Sequence, residues 1–129
     1  MSEQELPPWL KEQVSRLQQL QQNLQAIMMQ KQQVEVELME TDRALEELRK
    51  TGPEDTVYKS AGPLLIKSNK EGLLKELGEK KELSNTRVMV LAKQETRVKD
   101  NLKEVETKIN QMLRTSQGAA GPTVAGSRP

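Results

Sequence analysis

Bond-making chemistry has little to work with in this chain. It contains no His to act as a base at neutral pH and no Cys to act as a nucleophile or soft metal ligand. Ser and Thr residues are scattered without an oriented base nearby, and Gly52, Gly62, Gly72 and Gly78 do not form a phosphate-cradling loop. The 19 acidic residues are balanced by 20 basic ones along repetitive polar stretches, the usual pattern of solvated helix faces carrying i,i+4 pairs. An enzyme is therefore not expected, nor a cofactor or a metal. What remains is non-covalent: apolar side chains that leave water against another surface. Two groups have that character. One is Val57, Tyr58, Leu64, Leu65 and Ile66, close together in mid-chain; the other is Leu6, Trp9, Leu10, Val14, Ile109, Met112 and Leu113, divided between the two ends.

The elements that position these groups follow from periodicity. Leu10, Leu17, Leu24, Lys31, Leu38 and Leu45 recur every seven residues, and Gln13, Leu20, Ile27, Val34, Thr41 and Leu48 follow each by three. A second run repeats the pattern with Leu74, Lys81, Val88, Glu95, Leu102 and Ile109, followed by Leu77, Ser84, Leu91, Val98, Val105 and Met112. Nine of twelve seam positions are apolar in each run against 34% of the whole chain, so the repeat is not an effect of composition. The runs mirror each other about Ala61-Gly62, with Leu48 facing Leu74, Leu17 facing Val105 and Leu10 facing Met112. Apolar residues spaced near 3.5 imply helices supercoiled along one seam, and the mirror makes them antiparallel. The expected fold is mainly α: a long antiparallel two-helix coiled-coil hairpin with one β-hairpin at the turn.

Local signals set the boundaries. We expect an N-terminal arm over 1–7, a coiled-coil and β-hairpin domain over 8–114, and a disordered tail over 115–129. Pro7-Pro8 suits a helix start, where the first amide has no partner within the helix, and the first helix is placed at 8–50. Thr51-Gly52-Pro53 ends it, Gly permitting a left-handed cap and Pro being unable to continue. Ser68 and Glu71 fit a capping box for a helix over 69–114, inside which Gly78 marks a weakened turn or a close approach. The Gly-, Ala-, Pro- and Ser-rich tail has too little apolar content to pack. Between the helices, a hairpin over 55–67 is favoured by Val57, Tyr58 and Ile66 as strand formers and by Gly62 at the turn. Two strands alone are marginal in water, and their outer edges invite strands from another chain. The plain alternative is an unstructured inter-helix loop, which would leave Leu64-Leu65-Ile66 exposed without a use.

Composition narrows the class. At 129 residues with no Phe, one Trp, one Tyr and 30% charged residues, the chain makes one domain at most and no large globular core. A net charge of +1 and the lack of basic patches with interleaved aromatics argue against nucleic acid and anionic membranes as partners. No stretch is apolar for long enough to span a bilayer. The polar N-terminus lacks the blocks of a secretory signal, and the simplest expectation is a cytoplasmic protein.

A two-helix coiled coil buries mainly its seam. Leu6, Trp9, Val14 and Leu113 lie off it at the end opposite the turn, where Leu10, Ile109 and Met112 should be partly exposed by fraying. Such a cluster reads as an interaction site, or as a plug in which Trp9 closes the coiled coil. Met28, Met29, Val36, Met39, Met89 and Val90 are also off the seam and fit contacts either to a bound protein or to a neighbouring arm.

The stretch Val57-Tyr58-Lys59-Ser60-Ala61-Gly62-Pro63-Leu64-Leu65-Ile66-Lys67 resembles the hairpin of the prefoldin β-type subunit in its archaeal form. Leu17-Gln18-Gln19-Leu20-Gln21-Gln22 and Ala44-Leu45-Glu46-Glu47-Leu48 are similar to that family too, and the likeness extends over about residues 8–114. A single hairpin points to the β-type, since the α-type carries two. The resemblance implies a hexamer of two α-type and four β-type subunits whose hairpins form a platform for six coiled-coil arms. It further implies an ATP-independent holdase that captures unfolded proteins at the arm tips and delivers them to a group II chaperonin. On this chain, Val57, Tyr58, Leu64, Leu65 and Ile66 would build the platform, while Leu6, Trp9, Leu10, Val14, Ile109, Met112 and Leu113 would hold clients. The rival reading is a structural coiled-coil tether or scaffold subunit without chaperone activity.

Among the polar seam residues, Glu95 faces Ile27 in the mirrored register, one turn from Lys31, and the two charges either pair across the seam or each snorkel to solvent. Such a pair favours this register over a slipped one more than it adds net stability. Lys31→Glu and Glu95→Lys should each lower the melting temperature and the double exchange should restore it; a double variant as unstable as the sum of the singles removes the pair from the register argument.

Overall fold

The computed structural model describes the backbone of residues 6–120 and the side chains of 6–115. Two long helices flank a two-stranded antiparallel hairpin: α1 (Pro8–Lys50), β1 (Val57–Ala61), β2 (Leu64–Ser68) and α2 (Lys70–Ala120). The chain divides into two compact units, one comprising Met28–Lys93 and the other the segments before and after it. Among the described residues no helix is long and apolar enough to cross a membrane.

The heptad pattern is what the helices bury. All twelve seam positions in each helix are buried or half-buried, and most intervening positions are exposed. In the unit Met28–Lys93 the core comprises Val34, Leu45, Leu48, Leu73 and Leu91, with Thr41 and Ser84 buried among them. Thr41 keeps its hydroxyl satisfied by donating to the Glu37 carbonyl at 2.8 Å, the back-bond that lets a helical Thr sit in an apolar seam. No buried side-chain polar atom among the described residues lacks a partner. The mirrored register appears in the ion pairs that join the helices here, Lys81–Asp42 at 2.8 Å and Arg87–Glu37 at 3.9 Å. In the other unit Leu10 and Val105 are buried, and Gln13 and Arg16 share an open concavity with Glu104, Val105 and Lys108. Glu95, half-buried on the seam, is bridged by Lys99 one turn along its own helix at 3.0 Å.

Helix ends show where backbone chemistry overrode the sequence cues. Pro8 takes the first helical position of α1, and the Pro7 carbonyl accepts from the amides of Leu10 and Lys11, both at 3.0 Å. At the other end Gly52 does not adopt the left-handed conformation expected of it; Gly62 alone has positive φ among the described residues. Instead the Thr51 hydroxyl donates to the Leu48 carbonyl at 2.6 Å. The ammonium of Lys70 donates to the carbonyls of Thr51 at 2.7 Å and Arg49 at 3.3 Å. A cation at the negative end of a helix dipole makes the glycine cap unnecessary.

Helix α2 begins one residue later than expected, with Asn69 and not Ser68 as its cap. Asn69 Oδ1 accepts from the Gly72 amide at 2.7 Å, while Ser68 is the last residue of β2, opposite Val57. Nor does the helix stop at 114: it runs to Ala120, through part of the expected disordered tail. The Thr115 hydroxyl, bonded to the Gln111 carbonyl at 2.9 Å, continues the helical turn there. One glycine, Gly118, costs a helix about 1 kcal/mol, which is not enough to end it. The remaining tail, 121–129, and the first five residues of the N-terminal arm lie outside the described residues.

The hairpin spans 57–68 with the register Val57↔Ser68, Tyr58↔Lys67, Lys59↔Ile66, Ser60↔Leu65 and Ala61↔Leu64. Gly62 and Pro63 form the two-residue loop. With φ of 61° at Gly62 and the proline ring holding a negative φ after it, the turn has the type II′ arrangement that matches strand twist. Pro63 thus belongs to the turn, and the second strand begins at Leu64.

A methyl group built on Gly78 meets nothing within 4 Å, which excludes the close-approach reading of this residue. Gly78→Ala should stabilise the chain by about 1 kcal/mol in denaturant unfolding, whereas Gly62→Ala should destabilise it because an L-residue is strained at that φ. Equal effects of the two substitutions would contradict this assignment.

Candidate functional site

Among the described residues the fold leaves several groups of large apolar side chains in water. No group of His, Cys, Asp or Glu there is arranged to hold a metal ion. The first surface is the hairpin. Alternation along the strands puts Val57, Lys59, Ala61, Leu64, Ile66 and Ser68 on one face and Tyr58, Ser60, Leu65 and Lys67 on the other. Of the five candidates only Val57 is half-buried. Tyr58 is 58% exposed, Leu64 62%, Leu65 73% and Ile66 50%. Each face therefore carries large apolar side chains in water, which a folded monomer has no reason to maintain.

Attachment of the hairpin is confined to its base. Val57 and Tyr58 line an open concavity of about 340 Å³ with Ala44, Glu47, Leu48, Thr51, Leu73 and Leu77. Lys59 adds a bridge to Glu76 of α2 at 2.8 Å, half-exposed and so worth little by itself. Leu73 is a residue the heptad reading missed. It precedes a seam position, yet it is buried while Leu74 is only half-buried, because at the turn the hairpin base supplies neighbours that a two-helix seam does not have. An apolar residue beside the seam, a few positions from the turn, was the available signal.

The second surface lies where the start of α1 meets the end of α2. Trp9 is half-buried and lines an open concavity of about 370 Å³ with Gln111, Met112 and Thr115. The fold therefore brings Trp9 and Met112 together. Leu6 and Leu113 are exposed, and Val14 and Ile109 are half-buried. Leu10, expected to be partly exposed by fraying, is buried at 9% exposure, since the Pro7–Pro8 start holds the first turn closed and commits Leu10 to the seam.

A third set is exposed within Met28–Lys93: Met28, Met29, Val36 and Met39 on α1, and Leu83, Met89 and Val90 on α2. Leu83 had not been singled out from sequence, although its place off the heptad carried the same signal as Val90, seven residues on.

Hairpin, paired helices and exposed apolar surface together define an assembly subunit that offers surfaces for contact with other chains. The family described as prefoldin subunit matches residues 11–116. A prefoldin beta subunit of Archaeoglobus fulgidus is 44% identical over 114 residues, covering 88% of this chain and 98% of that protein. Its counterpart in Pyrococcus furiosus is 38% identical over 111 residues, covering 86% and 95%. The crystal structure of the prefoldin beta subunit from Thermococcus strain KS-1 superimposes with a TM-score of 0.77 at 36% identity, covering 86% of this chain and 97% of that one. The chain belongs to the prefoldin family, as a chaperone subunit of the beta type that assembles with other prefoldin subunits.

Trp9 is the only tryptophan, so its fluorescence reports one place. Emission should lie to the blue of a solvated indole and move to the red in Met112→Ser. An unshifted spectrum in a variant of normal helicity would show that Trp9 does not rest against Met112.

Proposed function

We propose that the chain works in a hexamer of two α-type and four β-type subunits, as an ATP-independent holdase in the cytoplasm. The hairpins join into a platform through Val57, Tyr58, Leu64, Leu65 and Ile66. Unfolded clients are held by Leu6, Trp9, Val14, Ile109, Met112 and Leu113, with Leu10 supporting them from the seam, and are then delivered to a group II chaperonin. The observation that carries the reading is the hairpin, whose exposed leucine, isoleucine and tyrosine side chains have no use within one chain. Two open strand edges complement this surface by offering backbone hydrogen bonds to a neighbour. For the clients, the concavity beside Trp9 supplies an apolar lining with an adaptable thioether. Each such contact is weak, and several arms acting on one client raise the overall affinity without a tight site.

Two paired variants separate assembly from capture. Leu65→Ser with Ile66→Ser should lower the native mass of the complex while circular dichroism remains helical. Trp9→Ser with Leu113→Ser should preserve that mass and allow a denatured test protein to aggregate several-fold faster. Unchanged aggregation in the second variant would overturn the client assignment and favour a tether.

A further inference from the structure

The charge of α1 changes sharply over residues 35–47. Glu35, Glu37, Glu40, Asp42, Glu46 and Glu47 stand there against Arg43 alone, in a chain whose net charge is +1. Part of this charge is already engaged: Asp42 with Lys81 at 2.8 Å, Glu37 with Arg87 at 3.9 Å and Glu47 with Lys50 at 3.3 Å. Glu35, Glu40 and Glu46 form no salt bridge among the described residues. Apolar side chains lie between these free carboxylates. Val36 and Met39, the latter 67% exposed, line an open concavity of about 470 Å³ whose other walls are Glu40, Asp42, Arg43 and Glu46. At about 100° per residue, Met28, Met29, Val36 and Met39 share an arc of roughly 100° directed away from the seam. Over residues 36–46 this face therefore has an apolar floor whose rim is mainly acidic, with Arg43 as its one cation.

We propose that this face is a second holding site, selective for unfolded segments that carry Lys or Arg beside apolar side chains. The inference rests on the capture reading above and adds the chemistry of what is captured. A Lys or Arg stem can lie along Val36 and Met39 while its charge reaches Glu40 or Glu46. An acidic segment of equal apolarity meets like charge at the same rim and is rejected, so the rim gives selectivity where the apolar floor gives none. The unbranched thioether of Met39 adapts to side chains of different shape, as a site for many sequences requires. Exposed charge contacts are individually weak, which keeps the site reversible.

The test uses the full-length chain and two fluorescent peptides with identical Leu positions, one spaced by Lys and the other by Glu. Fluorescence polarisation should show the Lys peptide bound more tightly, with the preference disappearing at high salt. Glu40→Lys with Glu46→Lys should weaken the Lys peptide on the order of tenfold, and Glu40→Gln with Glu46→Gln should weaken it less. All of these positions are exposed, and helicity by circular dichroism verifies the fold of each variant. Val36→Ser with Met39→Ser should also weaken the Lys peptide, whereas Trp9→Ser with Leu113→Ser should leave the preference between peptides intact. Wild-type affinity for the Lys peptide in the charge-reversed chain overturns the proposal. A change in native mass in that variant also overturns it, because the face would then be an interface between subunits. Failure of the capture reading is recognised separately, by aggregation that the Trp9 and Leu113 variant still suppresses.

Discussion

A pair of helices can bury only one stripe of each. Every other apolar residue in such a chain must find cover elsewhere or remain in water, and this constraint governs the rest of the structure. Here the stripe is the heptad seam, buried or half-buried along its whole described length. Among the described residues no third layer covers Leu65, Met39 or Leu113, each of which is exposed. In a globular domain residues of this kind would indicate a poor core. In a two-helix chain they are the inventory of contacts that the molecule can make with others.

The fold was legible because the seam obeys a single rule over many turns. Periodicity accumulates: a polar Lys31 or Ser84 interrupts it without obscuring it, and the mirror about Ala61-Gly62 then fixes the direction of both helices. Features decided by one or two atoms were less legible. Ser68 and Asn69 are both good caps, and the choice fell to Asn69 because Ser68 was needed opposite Val57 in the hairpin. Gly52 carries the signal of a left-handed cap, but the Thr51 hydroxyl takes the Leu48 carbonyl and Lys70, distant in sequence, takes those of Arg49 and Thr51. Burial of Leu73 depends on the hairpin folding back against the helices, which a pattern read along one helix cannot register.

The candidate surfaces were readable to a different degree. On the hairpin, exposure follows from two strands having no layer beneath them, so the residue types alone identified Leu64, Leu65 and Ile66. At the Trp9 end the outcome depends on rotamers and on how tightly the first turn closes. The heptad separates Leu10, on the seam, from Leu113, off it, but it does not tell that Leu10 is buried to 9% exposure while Ile109 and Met112 on the same seam stay half-buried.

Lys70 has a mechanical consequence for the turn. Its ammonium joins the start of α2 to the last carbonyls of α1 directly, without passing through the strands. The two helices are thereby latched at the turn by a contact that bypasses the hairpin. Tension between the helix ends at the turn has a short path through this latch, and the strands need not carry it. The pairing of the helices at the turn is thus held at two places, by this latch and by the hairpin base with its Lys59–Glu76 bridge.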